Sequence, residues 1–317
     1  VADASRIVSS TPAGTGFLAV TRGSLTAKDV QGSFSFTERD GTTCSSPRVE
    51  GVAGDGSRVL LRGSFADGGD CASLRFEVRF CQARPGHLAF EARASDPSFN
   101  ALSLRFASDE QERVWGLGEQ FPHDRLNLKG RRIPVIAQEG GIGRGHTPIT
   151  QAVNAASSGS GGSQESTYYA APHVLTSRGR SFFLENTEVS FFDLRPKDRI
   201  DVRVYAPVVR GRMLRPGTPL ELVERFTEHT GRMRGLPEWT GDGAVLALAR
   251  PLPESRTLVE KLRSRGAALA GVWNQTWSGK ARTFIGEQVL WNWVQNEAQQ
   301  PGWNEYVGWL ADRGAKT

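Results

Sequence analysis

The chain carries only three cysteines, five histidines and two methionines among its 317 residues, and it has no apolar run near the length of a bilayer. A membrane-spanning helix needs about 20 consecutive apolar residues, so none is expected. Cys44, Cys71 and Cys81 lack the paired spacing of a zinc site. One pair among them could form a disulfide and leave the third free, or all three could be buried thiols. His87, His123, His146, His173 and His229 show no H-E-x-x-H or other ligand spacing and read as surface or satisfied polar residues. There is no G-x-S-x-G elbow and no P-loop, which removes any positive signal for a serine hydrolase or a nucleotide site. The opening "VADASRIVSS" has neither a basic nor an apolar leader region, so a signal peptide is expected to have been removed or never to have existed. The compartment stays open, with a lean to the secreted or periplasmic side.

An excess of one charge is also missing. The 39 Lys and Arg exceed the 34 Asp and Glu by five, but the basic residues are scattered and their densest cluster is Lys129, Arg131 and Arg132. A solvated basic face accounts for that, and with no nucleic-acid motif present a nucleic-acid partner is not expected.

What is present falls into two periods. "SLRFEVRF" (73–80) alternates Leu74, Phe76, Val78 and Phe80 with Ser73, Arg75, Glu77 and Arg79, the pattern of a half-buried antiparallel strand. "HLAFEARA" (87–94) and "IDVRVYAP" (200–207) repeat it between turn clusters, which predicts a β-sandwich over residues 1–236. The Ser/Gly-rich "AASSGSGGSQES" (155–166) has strand-like sequence on both sides and is expected to be a surface loop within that sandwich. In "TPLELVERFTEHTG" a helix is expected with Leu222, Val223 and Phe226 on one face, and "GLPEW" (235–239) marks the junction.

From residue 237 to 317 the period changes. "GAVLALA" (243–249) and "AALAGVW" (267–273) read as buried parallel strands. Each precedes a helix: one with Leu258, Val259 and Leu262 on a face and Gly266 as its stop, the other opened by Pro301, with Tyr306, Val307 and Leu310 inward and Gly314 closing it. Strand, helix, strand, helix implies parallel strands with crossovers. Two such units cover roughly a quarter of a (β/α)8 barrel, so the chain is expected to be the front part of a larger body. The remainder of that barrel, from the same gene product or another chain, is then an expected partner.

Five separated motifs carry a resemblance: "VWGLGEQF" (114–121), "LNLKGRRIPVIAQEGGIGRGHTPIT" (126–150), "TYYAAPHVLTSRGRSFFLENTEVSFFDL" (167–194), "TGRMRGLPEW" (230–239) and "GVWNQTWSGKARTFIGEQVLWNW" (271–293). In this order they resemble glycoside hydrolase family 31, in the branch that contains the bacterial sulfoquinovosidases and related α-glucosidases. The resemblance implies an N-terminal β-sandwich of the galactose-mutarotase type followed by a (β/α)8 catalytic barrel. It also implies retaining hydrolysis of an α-glycosidic bond by two aspartates, which stand about 5 Å apart in a retaining enzyme. Both lie on later barrel strands in relatives, so no catalytic residue is expected in this chain. A carbohydrate substrate and no cofactor follow from that chemistry.

The last motif holds four of the eight tryptophans beside several amides. Flat indole faces and neutral hydrogen-bonding groups suit a sugar's C–H faces and hydroxyl rim, and barrel sites form at strand C-termini. Relatives show Trp-x-Gln-Asp-Trp here, which makes Gln275 and Trp277 candidate substrate contacts and puts Thr276 at the acidic position. Trp291 is a further candidate, whereas Trp273 reads as core packing. Sulfoquinovosidases grip the sulfonate with an arginine three residues before a tryptophan, aided by a first-strand glutamine. Those positions are Gln288 and Ala249 in this chain, so the charged fork for an anion is missing and a neutral or differently modified sugar is the better substrate expectation. Arg250 and Arg282 are weak substitutes.

Gln138, Glu139 and Arg144 are the polar members of the glycine loop "AQEGGIGRG" (137–145), which in relatives reaches over the barrel mouth. They are candidate substrate contacts, against an ion pair that only holds the loop. Thr276, Gln288 and Ala249 also motivate an alternative, a non-catalytic carbohydrate-binding or partner-binding relative. A third option is transglycosylation or lyase chemistry on the same scaffold.

Overall fold

The computed structural model describes residues 2–3, 6–7, 9–30, 32–120, 126–140, 143–156, 162–283, 286–290 and 292–317. The chain divides into two compact units, one ending at Arg232 and the other beginning at Met233.

The first unit is built on two antiparallel sheets, with strands numbered in chain order. One sheet runs, edge to edge, β10 (Val114–Gly116), β12 (His173–Thr176), β13 (Ser181–Leu184), β16 (Val208–Leu214), β8 (His87–Ala94), β7 (Arg75–Arg84), β6 (Arg58–Phe65) and β5 (Pro47–Gly54). The other runs β11 (Arg132–Val135), β14 (Ser190–Asp193), β15 (Arg199–Val204), β9 (Ala101–Ala107), β3 (Leu18–Val30) and β4 (Ser33–Cys44). A two-stranded ladder of β1 (Ala2–Asp3) and β2 (Arg6–Ile7) stands apart from both.

Alternation explains the pairing of the layers. Ile200, Val202 and Val204 of β15 point inward and join Phe76, Val78, Phe90, Leu102 and Val209 in one core. Arg199, Asp201 and Arg203 alternate outward, where Arg203 pairs with Asp40 and Arg132 lies 4.1 Å over the Phe191 ring. A one-residue slip would exchange these sets and bury the arginines, so the pattern holds the register.

Cys44, at the end of β4, is disulfide-bonded to Cys71 in a 3-10 turn between β6 and β7, so the bond links the two sheets. Cys81 is the free thiol and is half-buried.

Helix α1 (Pro148–Ala156) had no clear signal in the sequence, and it takes in the first two residues of the Ser/Gly stretch (155–166), expected as loop, of which residues 157–161 lie outside the described residues. Helix α2 (Pro219–Thr230) starts at a capping box between Thr218 and Glu221. Its inward residues are Leu222 and Phe226, one helical turn apart. Val223, expected to face inward with them, is 42% exposed, because a stripe narrow enough to meet one sheet takes i and i+4 but not their neighbour.

Phe226 docks α2 by stacking on His173, with centroids 4.0 Å apart and planes 3° from parallel. His173 is also held by Ser181 Oγ at 2.8 Å. Burial pushes its pKa from 6.5 down to about 4, so the folded state favours the neutral ring. The unfolded chain then binds more protons between those values, and stability present above pH 6.5 is lost as pH falls toward 4. The expected slope approaches about 1.4 kcal/mol per pH unit. It should flatten in His173→Phe, measured by urea unfolding across that pH window.

The second unit begins with a 3-10 turn at Glu238–Gly241 and β17 (Ala244–Leu248). α3 (Leu252–Ser264) then leads to β18 (Leu269–Asn274), which pairs with β17 in parallel. A hairpin of β19 (Lys280–Thr283) and β20 (Gly286–Val289) follows, then α4 (Trp303–Ala311). After α4, Lys316 forms a parallel bridge with Gly271, on β18. Leu248, Leu252, Val259, Val272, Tyr306 and Leu310 form the core between the strands and the two helices.

Three expectations change here. The run 243–249 is not buried throughout: Val245 is 55% exposed and Ala247 is exposed, because the helices pack on the opposite face of β17. Pro301 does not open α4, whose cap is Gly302 at φ 75°, a left-handed conformation that favours glycine. Val307 is only half-buried, whereas Tyr306 and Leu310 are fully covered.

Candidate functional site

In the second unit the candidates gather where the two parallel strands end. The Gln275 backbone N–H donates to the Leu248 carbonyl at 2.9 Å, extending the ladder one residue past β18. Gln275 and Ala249 thus stand at the C-terminal ends of adjacent strands, Gln275 half-buried and Ala249 exposed.

The chain turns immediately afterwards, for a local reason. Asn274 Oδ1 accepts from the Thr276 N–H at 3.2 Å and from Thr276 Oγ1 at 3.1 Å, a side-chain turn that competes with further strand. Gln300 Nε2 donates to Thr276 Oγ1 at 3.0 Å. Thr276 is only 1% exposed, and its side chain is committed to this network. Asn274 Nδ2 and Gln300 Oε1 are buried without a hydrogen-bond partner among the described residues. A buried donor and acceptor of this kind are costly unless a hydroxyl or water meets them. Asn274 and Gln300 were not singled out from sequence. The Asn-x-Thr spacing was the available signal for the first, and nothing local marked the second.

The tryptophans differ in their surroundings. Trp273 is 55% exposed and lies on the same face of the sheet as Val245 and Ala247, so it is not core packing within this unit. Trp277 is half-buried and stacks on Trp303, 6.2 Å between centroids at 29°, with Trp293 tilted 6.5 Å away. Trp303 continues to Tyr306 and Tyr306 to Trp309, each at 5.9 Å. Part of the Trp277 surface is therefore spent in an aromatic column onto α4. Trp291 lies outside the described residues.

Gln288 is exposed on β20, opposite Ala281. Arg282 is registered with Glu287, one position away and on the other face of the hairpin, so it does not stand in for the missing arginine beside Gln288. Lys280 is paired with Glu287 at 3.3 Å.

In the first unit, Gln138, Glu139 and Arg144 are positioned by backbone staples. The Gln138 N–H donates to the Thr167 carbonyl and the Glu139 N–H to the Gly32 carbonyl, both at 2.8 Å. The Gln138 side chain is buried and accepts from the Phe34 N–H at 3.0 Å, which spends its oxygen on holding the loop. Glu139 is exposed and accepts from the Tyr168 hydroxyl. Arg144 is half-buried at φ 50°, and its Nη1 donates to the Ser166 carbonyl at 2.8 Å. His146 is exposed.

Among the described residues, no grouping of three or more His, Cys, Asp or Glu could hold a metal ion, and no helix is long and apolar enough to cross a membrane.

No family model matches the chain. It is 30% identical over 228 residues to the sulfoquinovosidase of Agrobacterium fabrum (strain C58), a match that covers 72% of this chain and 34% of that protein. It is 26% identical over 216 residues to the sulfoquinovosidase of Escherichia coli K12, covering 68% and 32%. The chain thus spans about a third of the length of these relatives. Among solved structures, a GH31 family sulfoquinovosidase from E. rectale in complex with an aza-sugar inhibitor superposes with a TM-score of 0.80 at 23% identity. That match covers 95% of this chain and 43% of that one, and at this identity it shows likeness of fold.

Proposed function

We propose, from the premise that this chain is sulfoquinovosidase-like and corresponds to the N-terminal portion of a glycoside hydrolase of family 31, that it serves retaining hydrolysis of an α-glycosidic bond. The sugar is glucose-like or a modified sugar other than the sulfonated one. Residues 1–236 act as the sandwich and 237–317 as the opening units of a (β/α)8 barrel. Val245, Ala247 and Trp273 then belong to a face that the remaining strands cover, since parallel sheets are buried on both sides. The nucleophile and the acid/base are two aspartates on those strands, close enough together for a covalent intermediate.

One observation carries the reading: Gln275 and Ala249 stand side by side at the C-terminal ends of two parallel strands, the end at which barrel enzymes build their sites. Gln275 offers an amide to sugar hydroxyls, and within the first unit Glu139 and Arg144 are the polar side chains read as carbohydrate contacts, on a loop that Gln138 holds. The substrate class follows from charge. Gln288 is neutral and Arg282 lies on the opposite face of its hairpin, so the position beside Gln288 does not supply the guanidinium fork for a sulfonate.

The test is steady-state kinetics of the full-length protein on an aryl α-glucoside and its sulfonated counterpart. The neutral glycoside should be turned over faster, and Gln275→Ala should lower kcat/KM about 10- to 100-fold. A preference for the sulfonated substrate would refute the substrate assignment. Sugar binding without turnover would favour a non-catalytic relative.

A further inference from the structure

Tyr168 lies in the 167–194 motif without having been singled out there, and it contacts the Glu139–Arg144 loop. Tyr168 is 59% exposed, yet its hydroxyl is tied to Glu139 Oε1. An exposed tyrosine held at its tip keeps one ring orientation and gives up the rotamer freedom that a surface aromatic would otherwise have.

Gly140 is what lets the parts approach. A Cβ there would stand 3.2 Å from Tyr168 Cε2 and 3.3 Å from Arg144 Nη2, so the ring and the guanidinium both close over a backbone without a side chain. The Arg144 backbone is left-handed and its Nη1 is anchored to the Ser166 carbonyl, two residues before Tyr168. The Gln138 N–H bond to Thr167 closes the same loop from its other side. Carboxylate, guanidinium and aromatic face are thus fixed on one scaffold before any ligand arrives. Such an arrangement conserves binding energy, because the ordering cost falls on folding.

We infer that Tyr168 is a positioning and specificity residue for carbohydrate: its hydroxyl aims the Glu139 carboxylate at sugar hydroxyls, and its exposed ring receives a C–H face of the same sugar. The inference rests on the reading of the Glu139–Arg144 loop as a substrate contact. The hydrogen bond to Glu139 holds the Tyr168 phenol above its ordinary ionisation range, which gives a readout independent of turnover.

Two measurements test it on the full-length protein. The first is phenolate absorbance against pH, taken as wild type minus Tyr168→Phe. The Tyr168 transition should lie above about 10 and return toward that value in Glu139→Gln. An ordinary transition in the wild type overturns the coupling. The second is a double-mutant cycle on an aryl α-glucoside. Tyr168→Phe should raise KM about ten-fold with kcat little changed, and should add almost nothing in the Glu139→Gln background, because the hydroxyl acts through that carboxylate. Tyr168→Ala should cost more than Tyr168→Phe in either background, through loss of the ring face. An active enzyme whose KM ignores Tyr168→Phe, or a penalty of equal size with and without Glu139, overturns this inference alone. A wild type that neither binds nor hydrolyses any α-glycoside overturns the underlying reading, and this inference with it.

Discussion

Glu112→Ala is expected to destabilise the first unit by about 3–5 kcal/mol, the cost of breaking a buried charge pair by removing one partner. The Glu112 side chain is fully buried, and Arg180 reaches it through Nε at 3.1 Å and through Nη2. Ser108 Oγ donates to the same carboxylate at 2.8 Å and in turn accepts from Lys129 Nζ at 2.9 Å. Burial already holds the Lys129 pKa below the ordinary lysine range, with the Glu112 charge opposing that shift. Truncating Glu112 therefore strands a guanidinium and further penalises an ammonium in a site that excludes water. The cause can be separated from lost packing. Adding Arg180→Met to Glu112→Ala should recover part of the loss, since a neutral pair tolerates burial where a lone charge does not. Urea unfolding followed by circular dichroism reads both, and a loss below about 1 kcal/mol with no recovery would mean that the pair is effectively solvated.

The next largest effect is expected from the bond between the sheets. Cys44 and Cys71 are separated by 27 residues, and opening a loop of that length returns entropy to the unfolded chain worth about 3–4 kcal/mol. Cys44→Ala/Cys71→Ala should lower stability by that order. In a Cys81→Ser background, which removes the free thiol and its exchange reactions, the difference should persist. Both bonded cysteines are at most 2% exposed, so a reductant should act on the unfolded chain and leave the native bond intact for much longer. Equal midpoints for the oxidised protein and the double alanine variant would overturn the estimate.

How much of this could be read beforehand varied by element. The alternation in 73–80, 87–94 and 200–207 identified the strands and their inward residues, because a pleat with one dry face admits a single assignment of apolar and charged positions. The helices over 219–230 and 252–264 were legible from periodicity, with Gly266 as the stop of the second. α1 was not, since its register carries no long apolar stripe. The disulfide partner stayed open among three cysteines, because pairing depends on which strand ends the two sheets bring together.

At the site the division was sharper. Gln275 could be placed at a strand end from sequence, as could the neutral residues at positions 288 and 249. Thr276 could not: its side chain is used by Asn274, the next residue but one, and by Gln300, a residue 24 positions later that no local pattern connects to it. Trp273 and Trp277 look alike in the chain, yet one is turned to the open face of the sheet and the other stacks on α4.

Local order was thus largely legible in the sequence: the two periods, the faces of the alternating strands and the family motifs follow from residues a few positions apart. The tertiary structure decided which distant groups meet: Cys44 with Cys71, Glu112 with Arg180, Thr276 with Gln300, Glu139 with Tyr168. The reason is physical. Periodicity constrains the direction of a side chain relative to its own backbone, whereas pairing between remote side chains is set by how whole sheets and helices pack, which no local spacing encodes.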